Sequence, residues 1–170
     1  LAAGVLAGLQ AQRPTLAKGR LPIGLVRALD TAVVVDRNTA PASAWQVLPN
    51  GWRIYSVELS SPGALGLRLH LEAVALPKGA RLVVYDPADP ARVSAPVLPE
   101  ELRPERELWC ETVFAERVVL ECQVPPEADV GEVSFAVTGL SHLYRLPTAL
   151  AMPLVRAGAC NNDVSCYPAW

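Results

Sequence analysis

The segment ALGLRLHLEAV, residues 64–74, constrains the fold of this chain more than any other stretch. Leu65, Leu67, Leu69 and Leu71 alternate with small, charged or polar residues. Successive side chains of a β-strand point to opposite faces, so this pattern predicts a strand with one buried face and one solvated face. No stretch of the chain keeps a helical period over several turns, and we expect helix to be scarce.

Other short apolar segments have the same character, and turn sequences such as PNG, SPG, PKG and DPADP separate them. The 16 prolines and 11 glycines of the chain concentrate at such breaks. Short strands at this spacing predict an all-β fold, an antiparallel β-sandwich of the jelly-roll or immunoglobulin-like type with extended arms at both ends. A closed barrel is the alternative. The further predicted strands are 31–36, 52–60, 81–86, 107–114, 117–124 and 132–140.

The sandwich is predicted to span residues 21–145. The preceding segment, which begins LAAGVLAGLQAQ, has the small apolar residues of a signal-peptide core but no basic leader. Residues 1–20 are therefore predicted to be a signal remnant or an N-terminal arm, with a short amphipathic helix as an equal alternative.

The formal net charge is -2, from 15 basic and 17 acidic residues. A chain with this balance has no basic field to hold nucleic acid or an anionic membrane surface, so neither is an expected partner. Its wholly apolar runs are a few residues long, against the roughly 20 that a membrane-spanning helix needs. We expect a soluble domain.

Cys110 and Cys122 fall on two consecutive predicted strands joined by a short loop. If residues 115–117 form that loop, the two cysteines oppose each other in an antiparallel ladder, where Cα atoms lie within disulfide range. The pattern predicts a disulfide and, with it, an exported protein, secreted or periplasmic. Two buried free thiols are the alternative.

Cys160 and Cys166 lie in the polar segment CNNDVSC, which has no strand period. They are spaced to bridge each other in a small loop. No Cys-x-x-Cys pair is present, and His70 and His142 lie in strand-like contexts without ligand-like neighbours, so we expect no metal and no cofactor.

The terminal segment CNNDVSCYPAW resembles the first residues of the mature protease in bacterial trypsin-like enzymes of the lysyl endopeptidase kind. Several upstream segments are similar to recurring segments of the propeptides of these enzymes and occur in the same order. Among them are SPGALGLRLHLEAVALPKGARLVVYD, RVVLECQVP and VTGLSHLYR. The two cysteines Cys110 and Cys122 depart from that pattern.

The resemblance implies that residues 21–145 are a propeptide that assists the folding of a protease domain, keeps it inactive and is removed during maturation. It also implies that residues 160–170 begin the protease domain, and that Cys160 and Cys166 pair with cysteines deeper in that domain. The expected partner is the chain's own trypsin-like protease domain, joined to it or separate.

Residues 146–159 are rich in small residues and proline, as expected of an exposed linker. Arg156 and Ala157 are the predicted processing site, because a trypsin-like enzyme cuts after a basic residue. Arg145 is the alternative, although it closes a predicted strand. No Gly-Asp-Ser-Gly segment is present, and Ser141 and His142 are neighbours on a strand and should point to opposite faces, so we expect no catalytic residues in this chain.

A different class of function is also compatible with the sequence. A secreted β-sandwich can bind carbohydrate or mediate adhesion through aromatic rings that stack on sugars. The aromatic residues available for that role are Trp45, Trp52, Trp109 and Tyr85.

Overall fold

The computed structural model describes residues 22–146. Eight strands lie in this part of the chain, together with three short 3-10 helices at Ala42–Ala44, Pro99–Glu101 and Val130–Glu132, and it contains no α-helix. The strands are β1 (Gly24–Val35), β2 (Gln46–Val47), β3 (Arg53–Ser60), β4 (Gly66–Ala75), β5 (Arg81–Tyr85), β6 (Leu108–Trp109), β7 (Arg117–Val124) and β8 (Ser134–Leu143).

The strands form two antiparallel four-stranded sheets, in the orders β1-β8-β4-β6 and β2-β3-β7-β5. The predicted β-sandwich is confirmed. Strand pairs are nested along the chain: β1 pairs with β8, β3 with β7 and β4 with β6. The innermost pairing consists of isolated antiparallel β-bridges between β5 and the segment 93–97. This nesting is that of a jelly roll, in which a long antiparallel hairpin winds into two facing sheets.

The core lies between the two sheets and is filled by alternate residues of the strands. Leu67, Leu69 and Leu71 of β4 are almost completely buried, as the alternation predicted. Leu65, which the same alternation predicted to be buried, precedes the first residue of β4 and is 43 % exposed. From the facing sheet the core receives Leu82, Val84, Val118, Leu120, Cys122 and Val124.

The alternation of inward-facing and outward-facing side chains along β8 shifts by one residue at a bulge. His70 pairs with Gly139 but Leu71 pairs with Val137, which leaves Thr138 as an extra residue. Phe135 and Val137 therefore point inward before the bulge, and Leu140 and His142 do so after it. Without the bulge, the alternation would place Ser141 in the core and His142 outside.

The predicted strand 107–114 is mostly not a strand. Only Leu108 and Trp109 form ladder pairs, and they pair with β4 rather than with β7. Residues 114–116 carry the chain from one sheet to the other, so they are not a hairpin turn. Residues 22–146 contain no helix with the length and apolar character needed to cross a membrane.

Candidate functional site

Four of the residues singled out in the sequence lie outside the described part of the chain. They are the predicted processing residues Arg156 and Ala157 and the two cysteines Cys160 and Cys166. Arg145, the alternative processing residue, is described and lies two residues after the end of β8. Its amide donates to the carbonyl oxygen of Ile23, at 3.2 Å.

The predicted hairpin between Cys110 and Cys122 is wrong. Cys122 lies on β7, whose neighbours are β3 and β5, whereas the amide of Cys110 donates to the carbonyl oxygen of Leu69 on β4. The two cysteines thus enter the core from opposite sheets, and both are free thiols. Burial raises the pKa of each thiol to about 12. A thiol with this pKa is almost entirely protonated at neutral pH and is a poor nucleophile.

His142 and Ser61 form a serine–histidine pair that the sequence did not reveal. Nδ1 of His142 lies 2.8 Å from the hydroxyl oxygen of Ser61. His142 is completely buried and Ser61 is 4 % exposed, so a substrate cannot reach either side chain. His142 Nε2 has no hydrogen-bond partner, and thus no carboxylate orients the ring as a catalytic triad requires. The pair is part of the core.

A second histidine organises a polar cluster on the outer face of the first sheet. His70 Nε2 lies 2.7 Å from a carboxylate oxygen of Glu107, and Nδ1 lies 3.0 Å from the hydroxyl oxygen of Thr138. The hydroxyl group of Thr138 donates to Glu72 at 3.1 Å. The ring also stacks on Trp109, with centroids 4.6 Å apart.

The members of the cluster at His70 come from β4, from β8, and from β6 together with Glu107, which directly precedes it. The cluster therefore ties three strands together. The hydroxyl proton of Thr138 is already donated to Glu72, so Nδ1–H of the imidazole donates to Thr138. Nε2 faces the carboxylate of Glu107, so both ring nitrogens of His70 have a hydrogen-bond partner. The sequence did signal part of this cluster, since Arg68, His70 and Glu72 alternate on the solvated face of β4. No group of three or more metal-ligating side chains occurs within residues 22–146.

The aromatic residues proposed for sugar binding are occupied by other contacts. Trp45 is 5 % exposed and packs against Tyr55. The guanidinium group of Arg81 lies 5.2 Å from the ring centroid of Trp52. Trp109 is stacked on His70, as described above.

Tyr85 is likewise engaged, since its hydroxyl group donates to Glu121 at 2.9 Å. Burial, together with Glu121, raises its pKa to about 12. The four aromatic residues therefore form no shared open platform in the described structure.

The described chain enters and leaves the sandwich at one end. Gly24 and Gly66 both pair with Leu143, so the start of β1, the start of β4 and the end of β8 lie side by side. The amides of Tyr144 and Arg145 donate to the carbonyl oxygen of Ile23. Whatever follows Leu146 therefore departs from this end of the sandwich.

The Lysyl endopeptidase N-terminal domain family matches residues 2–144, which is most of the chain. No curated protein and no solved structure matches it. A family of this description is the N-terminal part of a protease precursor, which implies a protease domain in the same precursor chain. Because this match covers residues 2–144 of 170, the chain belongs to the lysyl endopeptidase N-terminal domain family.

Proposed function

We propose that this chain is the N-terminal pro-domain of a secreted trypsin-like serine endopeptidase, which assists the folding of the catalytic domain and inhibits it until the two are separated. The family match over residues 2–144 is the observation that carries this proposal. The buried Ser61–His142 pair agrees with it, because a pro-domain contributes binding surface rather than a catalytic site.

The processing site of this proposal is the bond between Arg156 and Ala157. Arg156 follows the matched family region by twelve positions, and residues 146–162 around it contain no acidic residue. Arg145 is the weaker candidate, since its backbone is hydrogen-bonded to Ile23 and a protease binds its substrate in an extended, accessible form. Cys160 and Cys166 then belong to the catalytic domain and pair with cysteines there.

Maturation of the precursor tests the site. In the precursor that contains this chain and the catalytic domain, Arg156→Gln should leave a folded protein that is processed slowly, whereas Arg145→Gln, the matched control, should be processed at the normal rate. N-terminal sequencing of the mature protein identifies the bond. Normal maturation of the Arg156→Gln precursor at the same bond would show that Arg156 is an ordinary linker residue.

Refolding of the catalytic domain tests the folding role. The separately produced catalytic domain is denatured and then diluted with or without the 170-residue chain. The proposal predicts a higher yield of active enzyme when the chain is present. Equal yields under both conditions would remove the folding role and leave the inhibitory one to be judged separately.

The carbohydrate-binding alternative has less support. Sugar recognition by stacking needs aromatic faces open to solvent. Trp45 is buried, Trp52 lies beside Arg81 and Trp109 is stacked on His70.

A further inference from the structure

The end of the sandwich at which the chain leaves carries an unusual surface, which we call the exit face. It consists of the loops 61–65, 86–92 and 114–116 and of Val93. Gly66 pairs with Leu143 three residues before the described chain ends, and a β-carbon placed on Gly66 would lie 3.3 Å from the ring of Phe114. The exit face therefore adjoins the point of departure.

Large apolar side chains are exposed on this face. Phe114 is 44 % exposed, Val93 is 52 % exposed, and Leu65 is 43 % exposed. Phe114 and Val93 line the same groove. In the described part of the chain, the other exposed side chains of this kind are on β1 and β2, where Val26, Val34 and Val47 lie singly along strands.

The groove beside Phe114 is acidic. Asp86, Asp89 and Glu111 line it, against a single guanidinium group from Arg92. Two of the carboxylates are fixed by loop amides: Asp86 accepts from Ala88 at 2.9 Å and Glu111 accepts from Ala95 at 3.0 Å. An apolar groove with fixed negative charges at its edge is complementary to an apolar segment that carries basic side chains.

We propose that the exit face docks the catalytic domain of the same precursor through a basic, apolar segment of that domain. This inference rests on the proposed function and adds the surface by which the two domains meet. A domain that follows the sandwich is tethered at Leu146, at the end of the sandwich that carries the groove. Tethering through a short linker gives an effective concentration in the millimolar range, so that a modest intrinsic affinity keeps the groove occupied.

Cleavage of the linker then provides the release. After the cut, the two domains bind only with their intrinsic affinity, because the effective concentration of the tether is lost. The same groove thus holds the catalytic domain before processing and allows it to dissociate afterwards.

Binding measurements with matched variants test the exit face. The probe is the catalytic domain of the precursor, produced separately with its nucleophilic serine replaced by alanine, and it is titrated with the 170-residue chain by calorimetry. We expect Phe114→Ser and Asp89→Lys each to raise the Kd about tenfold or more, since buried aromatic anchors and complementary charges dominate such interfaces. The matched controls, Val26→Ser and Asp30→Lys on β1, should change it less than about twofold.

The outcomes separate this proposal from the one on which it rests. Circular dichroism and thermal unfolding confirm that each variant is folded. If the wild-type chain binds but both exit-face variants bind equally well, the exit face is not the docking surface, and the pro-domain function stands. If the β1 controls weaken binding instead, β1 is the docking surface. No binding by the wild-type chain would overturn both proposals, and loss of self-association in the exit-face variants with unchanged binding would mark the face as an interface between copies of this chain.

Discussion

Nδ1 of His142 lies 2.8 Å from the hydroxyl oxygen of Ser61, although the two residues are 81 positions apart in the sequence. Ser61 directly follows β3 in one sheet, and His142 is near the end of β8 in the other. The pair thus connects the two sheets inside the core. His142 Nε2 is buried without a partner, which makes the neutral ring the favoured form.

The first prediction concerns the pH dependence of folding. Burial lowers the pKa of His142 below its ordinary value of 6.5. The stabilisation by the neutral ring is therefore complete above about pH 6.5 and is lost as the pH falls toward the lowered pKa. The free energy of unfolding from urea titrations should decrease in this window, by at most about 1.4 kcal/mol per pH unit for one proton.

Two variants isolate the contribution of His142 to this pH dependence. His142→Gln keeps a hydrogen-bonding group beside Ser61 but does not titrate, so its unfolding free energy should lack the decrease. His70→Gln, the control, should retain it. A decrease of the same size in His142→Gln would assign the effect to another group.

The second prediction is that Cys110 and Cys122 are unreactive in the folded protein. Both are buried free thiols with a pKa raised to about 12 by burial. A maleimide should label them only after unfolding, as shown by mass spectrometry of the peptides. Cys122→Ser should lower the free energy of unfolding by about 1–3 kcal/mol because it buries a hydroxyl group. A peptide pair linked by a Cys110–Cys122 disulfide would contradict the structure.

The third prediction concerns Arg53, which holds the loop after β7. Its Nη2 lies 2.9 Å from the carbonyl oxygen of Pro125 and 3.1 Å from that of Pro126, and it also contacts the carbonyl oxygen of Ala128. Hydrogen bonds from a charged group contribute about 1.5–3 kcal/mol, so Arg53→Met should reduce the free energy of unfolding by roughly this amount. The exposed control Arg103→Met should change it by less than about 0.5 kcal/mol. Equal effects of the two variants would show that the loop is held in another way.

The fourth prediction concerns the close approach of β1 and β8 at Gly139. A β-carbon at this position would lie 2.9 Å from the carbonyl oxygen of Arg27, and the backbone of β1 has to move to accommodate it. Gly139→Ala should therefore destabilise the protein by about 1–3 kcal/mol and increase amide exchange in β1. Gly131→Ala is the control, because there the contacts are longer, 3.2 Å and 3.3 Å, and involve the side chains of Asp129 and Arg37 rather than backbone. Undiminished protection of β1 in Gly139→Ala would contradict this packing.

The sequence predicted the individual strands better than their partners. The alternation at Leu67, Leu69 and Leu71 is a local property of β4, and the structure confirms it. Strand pairing is not local. Residues 114–116 have the length of a hairpin turn, yet they cross between the sheets, and no local pattern distinguishes the two cases. The disulfide inferred for Cys110 and Cys122 failed for this reason.

The polar cluster at His70 illustrates the same limit. Its members come from β4, from the segment 107–109 and from Thr138, and they meet only because β4 lies between β6 and β8. The bulge at Thr138 was also invisible in the sequence, and it decides that His142 rather than Ser141 is buried. The predicted processing site lies beyond residue 146 and stays a prediction.

Inhibition of the catalytic domain by this chain can be measured directly. The active catalytic domain, produced separately, is assayed on a small peptide substrate while the 170-residue chain is added in increasing amounts. We predict that activity falls progressively to a small fraction once the added chain is well above its Kd for the catalytic domain. Full activity at a large excess of the intact, folded chain would contradict the proposed inhibition.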